Sequence, residues 1–204
     1  MSTTLYLRGF VNTGTGISGA QALTERRGNG NVGIGTTTIA GGTNVQVTAG
    51  TGGVVIYWTS GPITTPSVTV AGDITINLRG LESAATVNAG FAVLIERTDD
   101  AGSVLSTVVP LQAVGAELGL SQSVRTLTVT PTSTNFSFNE RIKVTVSYTN
   151  AGGTMGAGTA TVNVNGAASG AGGDSFITLT EDIVTGVVQD VSPFEIKGSN
   201  AYYG

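Results

Sequence analysis

From Val54 to Thr180, apolar and polar residues alternate with a period of two, broken at intervals by Gly, Pro, Asn and Asp. A strand sends successive side chains to opposite faces, so this period predicts half-buried β-strands. Val54, Ile56 and Trp58 fall on one face, with Val55 and Tyr57 on the other. In Asp73–Arg79 the apolar set is Ile74, Ile76 and Leu78. Asn88–Thr98 follows with Phe91, Val93 and Ile95, and Asp99-Asp-Ala-Gly102 reads as a hairpin turn into Ser103–Val109, which Pro110 is expected to end. Residues 111–123 fit a helical turn or a long crossing loop. Further strands are expected over Val124–Thr130, over Glu140–Thr149 (core set Ile142, Val144, Val146, Tyr148), over Thr159–Asn165 (Ala160, Val162, Val164) and over Ser175–Thr180 (Ile177, Leu179).

About eight short strands with turn signals between them indicate an all-β fold, a single antiparallel β-sandwich of jelly-roll-like character. Strand number does not by itself order the strands. The expected sandwich covers residues 53–182. Residues 1–52 are Gly/Thr/Asn-rich and read as an extended N-terminal arm, either disordered or laid along another surface. Residues 183–204 read as a C-terminal tail carrying Pro193, Phe194, Tyr202 and Tyr203. Aromatic rings on such a tail are better placed against a surface than in water.

Composition strengthens the β reading. Gly supplies 31 of 204 residues, about twice the ordinary share of about 7%. Thr is comparably abundant, while solvent-facing helix formers are scarce. Charged residues make up 11%, against about 25% in an ordinary soluble domain. With a mean hydropathy of +0.23, this suggests that much of the surface packs against partners. A net charge of −4 offers no footprint for nucleic acid and no attraction to anionic lipid. The partner-contact candidates are therefore Leu5, Tyr6 and Leu7, the basic pair Arg26 and Arg27, and Phe194, Tyr202 and Tyr203.

Candidate chemistry is sparse. No Cys is present for disulfides or thiolate metal sites, and no His to serve as general base or imidazole ligand. Gly14-Thr-Gly-Ile-Ser-Gly19 and Gly28-Asn-Gly-Asn-Val-Gly33 match the G-x-G-x-x-G spacing, but no amphipathic helix follows to receive a pyrophosphate. Glu96, Asp99 and Asp100 surround the expected turn, as a solvated cluster does, and Glu181-Asp182 lies near the end of the last strand. No EF-hand spacing occurs, although loop aspartates on a sandwich are a calcium option. Trp58 beside Tyr57 fits core packing and, alternatively, a sugar-stacking platform. Neither a cofactor nor a metal is expected, and the chain reads as not an enzyme. The start Met1-Ser-Thr-Thr-Leu-Tyr-Leu-Arg8 lacks a basic and an apolar leader region, so synthesis and use in a cytoplasm, or release by lysis, is expected.

Leu5-Tyr-Leu-Arg-Gly9, the Gly/Thr-rich arm, Val55-Ile-Tyr-Trp-Thr-Ser-Gly-Pro62, Ile74-Thr-Ile-Asn-Leu-Arg79, then Ser83 and Asn88-Ala-Gly90 before the Phe91–Arg97 strand form a recognisable series. Together it resembles virion structural proteins of tailed bacteriophages, especially jelly-roll head decoration (cement) proteins. The resemblance implies a non-catalytic subunit on the capsid exterior, commonly a homotrimer, that binds the major capsid protein or other virion subunits and staples neighbours. Arms that add strands to a neighbour's sheet edge would give such contacts avidity. The alternatives are a carbohydrate-binding sandwich of a tail fibre or secreted protein, and another phage head or tail component.

Overall fold

The computed structural model describes residues 2–11, 20–25, 32–42, 47–48, 57–151, 155–164 and 175–186. Among these the chain is all-β, without a helix. The strands are β1 (Thr3–Val11), β2 (Gln21–Thr24), β3 (Val32–Gly42), β4 (Val47–Thr48), β5 (Tyr57–Ser60), β6 (Ser67–Val70), β7 (Ile74–Glu82), β8 (Ala89–Thr98), β9 (Val104–Val114), β10 (Ser123–Val129), β11 (Thr134–Ser137), β12 (Arg141–Asn150), β13 (Met155–Val164) and β14 (Phe176–Leu179). All but β6 and β11 join one sheet with the order β3-β13-β7-β14-β1-β2-β5-β12-β8-β9, in which β10 also pairs β7 and β4 also pairs β12. β6 and β11 form a separate two-stranded sheet. Every pairing is antiparallel except that of β2 with β5.

The long sheet doubles over to make the sandwich. Ile74, Ile76 and Leu78 from one end of the strand order share a single buried cluster with Phe91, Val93, Val144, Val146 and Tyr148 from the other. Strands β1, β2 and β5 link the two ends in the pairing order. Two strands hold the layers together by dividing an edge. The first half of β7 (Ile74–Asn77) pairs β14 and the second (Arg79–Glu82) pairs β13, while β10 covers the other edge. Likewise β12 offers Lys143–Thr145 to β5 and Ser147–Tyr148 to β4, with β8 along its other edge.

The alternation places the side chains as expected. Ile74, Ile76, Leu78, Phe91, Val93, Ile95, Ile142, Val144, Val146, Tyr148, Ala160, Val162, Val164, Ile177 and Leu179 are all buried. Phe91 and Tyr148 pack with ring centroids 5.6 Å apart. Burial pushes the Tyr148 hydroxyl far above the usual tyrosine range. Gly80 belongs to the same inward column of β7, and an added Cβ there would run into the Phe91 ring and the Thr161 carbonyl.

Three expectations change. The described parts of residues 1–52 join the sheet rather than forming an appendage to a sandwich that starts at 53. β1 lies between β14 and β2, with Leu5 opposite Ile177 and Leu7 opposite Leu23. β3 pairs β13 through a ladder that reaches from Val32 to Gly42. The alternation of Thr3–Leu7 is short, but its partners lie far along the chain, and burial of each leucine contributes about 1.5–3 kcal/mol.

Packing also does not stop at 182. Ile183 is buried and its N–H donates to Thr3 Oγ1 at 2.7 Å, while Thr64 N donates to Val184 O and Gly186 N to Pro62 O. Finally, Pro110 does not end β9. The register slips between Val93↔Gln112 and Ile95↔Val109, so an extra residue bulges where proline has no N–H to give. The strand runs on to Val114, and residues 115–122 form the crossing loop rather than a helical turn.

Candidate interaction surface

The expected contact residues separate in the structure. Leu5 and Leu7 are fully buried in this chain's own core, which corrects their reading as partner contacts. Tyr6, one position out of phase, faces the opposite side and packs on Phe176 with centroids 5.8 Å apart. Arg26, Arg27, Phe194, Tyr202 and Tyr203 lie outside the described residues, as does the first glycine-rich match. The second match overlaps the described chain only at Val32-Gly33, inside β3.

Trp58 is fully buried, with Nε1 donating to Arg8 O at 2.9 Å. A buried indole cannot stack on a sugar, so the Tyr57/Trp58 platform is lost. Tyr57 instead sits beneath the Lys143 ammonium, 5.2 Å from the ring centroid.

The carboxylates near the hairpin are structural. Asp99 Oδ1 accepts the Ser103 N–H at 2.7 Å, and the turn closes through Gly102 N to Asp99 O at φ +92°. Asp100 accepts from the buried Arg141 guanidinium at 2.6 Å, and Glu96 from Lys143 at 2.8 Å. Arg141 also donates to Ser60 O, so its charge is both paired and hydrogen-bonded.

Glu181 Oε1 accepts N–H groups of Ala71 and Gly72 at 2.9 and 2.7 Å. Burial pushes its carboxyl up, but these N–H bonds outweigh that and hold it below the usual carboxylate value. Among the described residues no three acidic groups gather in a way that would hold a metal ion.

Composition alone did not reveal two features. The first is β9, at the end of the sheet order, with β8 as its ladder partner. Val104, Leu105 and Leu111 on it are 49%, 44% and 44% exposed. The signal was in the sequence as Val104-Leu-Ser-Thr-Val-Val-Pro-Leu111, an apolar-rich stretch that breaks the period of two.

The second is a buried carboxyl. Glu82 ends the inward column of β7 and is 2% exposed, and its Oε2 accepts the Ala89 N–H at 3.0 Å. Burial, chiefly, raises the Glu82 carboxyl above its ordinary value. A polar residue at the end of an alternating strand reads as solvent-facing until the crossing loop is laid over it.

No protein-family model matches this chain, and no curated protein matches it. Solved structures share its fold at low identity. A CocE/NonD family hydrolase from Staphylococcus aureus is 13% identical with a TM-score of 0.55, over 91% of this chain and 36% of that one. An α-amino acid ester hydrolase is 12% identical with a TM-score of 0.58, over 87% and 36%. An aminopeptidase from a marine sediment archaeon (Thaumarchaeota) is 11% identical with a TM-score of 0.57, over 89% and 37%. This chain thus spans little more than a third of the length of each.

Capsid protein VP2 of infectious bursal disease virus, in its subviral particle, matches over 78% of this chain at a TM-score of 0.23, too low to carry an argument. The hydrolase likenesses overturn the expectation that this chain is not an enzyme. The same sandwich is part of hydrolases, so a lack of histidine in this stretch is no ground for excluding one.

Proposed function

We propose that the chain is a structural subunit of a virion, of the head-decoration kind, which joins neighbouring subunits through the outer side of β9. The observation that carries this reading is the exposure of Val104, Leu105 and Leu111 on one strand at the end of the sheet. Exposed large apolar groups gain by burial against a partner. With 11% charged residues, the chain has few groups to keep such a surface apart from others.

The three register shifts of β9 discourage direct strand addition. The contact therefore works by side-chain packing. This replaces the strand-donating arm for β1, whose two edges are already taken by β14 and β2.

Light scattering after size-exclusion chromatography tests the reading. Wild-type protein forms a defined oligomer at micromolar concentration, and the double variant L105K/L111K is a monomer with an unchanged circular dichroism spectrum. A wild type that stays monomeric across the accessible range, or an oligomer indifferent to both lysines, would overturn it.

A further inference from the structure

Ile74, Ile76 and Leu78 of β7, Ile177 and Leu179 of β14, and Leu5 and Leu7 of β1 are buried, so the residues between them point away from the core. On β10 the inward positions are Leu127 and Val129. The outward residues line up across the strands. Thr128 stands opposite Thr75, Thr75 opposite Thr178, and Thr178 opposite Thr4. The next row runs Thr126, Asn77, Phe176, Tyr6 and Thr24, the last on β2. Thr126 and Thr128 are exposed, and the others in the two rows are half-buried. At a strand spacing of about 4.8 Å, the row of threonines is roughly 14 Å long.

Every side chain in these rows carries a hydroxyl, an amide or an aromatic ring, and none is charged. Thr4 and Thr178 share a hydrogen bond at 3.1 Å, and Thr75 and Thr128 share one at 3.4 Å. In each pair one hydroxyl donates, so the other keeps its own O–H, and acceptor lone pairs remain on both. Thr126 donates to Asn77 Oδ1 at 2.7 Å, which leaves the Asn77 amide N–H groups as donors. The Tyr6 and Phe176 rings lie side by side, with centroids 5.8 Å apart and planes tilted by 57°. Charge begins one row out, with Asp73, which accepts from Thr130 at 2.6 Å, on one side and Arg79 and Arg8 on the other.

We propose that this face binds a neutral polysaccharide chain laid across β10, β7, β14 and β1. A sugar ring carries hydroxyl groups around its edge, each both donor and acceptor, and C–H groups on its faces. Thr4, Thr75, Thr178 and Asn77 match the first, and the electron-rich faces of Tyr6 and Phe176 match the second. A nucleic acid or an acidic glycan calls for positive charge within the contact, which the two rows lack. A protein partner calls for large exposed aliphatic groups, and those lie on β9 instead. The sugar-stacking role that burial takes from Trp58 thus passes to the outward pair one position out of phase with Leu5 and Ile177. This surface is separate from the β9 contact and does not depend on it.

Native electrophoresis of the full chain through gels containing hydroxyethylcellulose, dextran, mixed-linkage β-glucan or galactomannan tests the proposal. At least one of these polymers retards the wild type relative to a polymer-free gel. Y6L/F176L keeps apolar bulk but removes both aromatic faces, and it binds about tenfold more weakly with an unchanged circular dichroism spectrum. T75V/T178V keeps side-chain shape and removes two hydroxyls, and it weakens binding independently; should Y6L/F176L misfold, this pair decides. L105K/L111K is still retarded, because β9 takes no part. No retardation of the wild type by any of these polymers, retardation by the acidic polymer alginate alone, or undiminished binding in either folded variant pair overturns the proposal.

Discussion

The two edges of β8 are covered by strands of opposite character. β12 runs along one without a break, from Arg141 opposite Thr98 to Asn150 opposite Ala89. β9 runs along the other and slips register three times. β12 alternates cleanly, so Ile142, Val144, Val146 and Tyr148 go inward and Lys143 goes out to meet Glu96. β9 has Val108 and Val109 buried in succession, where its register against β8 slips. One extra residue of β9 bulges between Ile95↔Val109 and Glu96↔Thr107. Regular alternation yields a load of buried area, and broken alternation yields an irregular border with exposed Val104, Leu105 and Leu111. The same β8 therefore faces a regular, buried neighbour on one side and, on the other, a strand that exposes three large apolar side chains.

Substitutions can test this contrast directly. Phe91→Ala on β8 removes a fully buried ring packed on Tyr148, and a loss of about 3–5 kcal/mol in denaturant unfolding is expected. Gly80→Ala pushes a methyl into the same ring from β7 and costs about 1–3 kcal/mol by overpacking. If Gly80→Ala proved neutral, the close approach of β7 to Phe91 would be wrong.

Glu181→Ala removes the carboxylate that collects the Ala71 and Gly72 N–H groups, at a cost of about 1.5–3 kcal/mol for hydrogen bonds to a charged group. The folded-state value of Glu181 lies below the ordinary one. Its contribution is therefore present above the ordinary carboxylate range and fades as pH falls through the depressed value. Equal stability differences between wild type and variant at pH 7 and at pH 2 would refute that assignment. Smallest of all, L105K/L111K changes the stability of the monomer by no more than about 0.5 kcal/mol per site, as exposed positions do. A large loss there would mean that β9 is core-bearing along its outer side, and the contrast between the two edges would collapse.

Much of this was legible beforehand, and the reason is local. Ile74, Ile76 and Leu78, or Ile142, Val144 and Val146, declare their faces through spacing that needs no knowledge of a partner. The hairpin at Asp99–Gly102 is equally local, since Asp side chains and Gly backbone freedom specify the turn. Trp58 and Leu5 show the limit of this reading. Each sits in a short, ambiguous stretch, and its burial depends on strands far away: Val144 opposite Trp58, and Ile177 opposite Leu5. Glu82 was illegible for the same reason, because only the crossing loop makes that position an interior one.

The sequence by itself thus determined that the described chain is all-β, which faces of its regular strands turn inward, and where the Asp99–Gly102 turn lies. These follow from the period of side-chain direction and from backbone preferences over a few residues. The tertiary structure alone decided that β1 belongs to the sandwich and that β7 and β12 each divide an edge between two neighbours. It also decided that Glu82 is buried beside the crossing loop. Such outcomes depend on pairing across long stretches of chain, as between Thr4 and Thr178, 174 residues apart. Loop-closure entropy and burial, summed over the whole molecule, select that pairing.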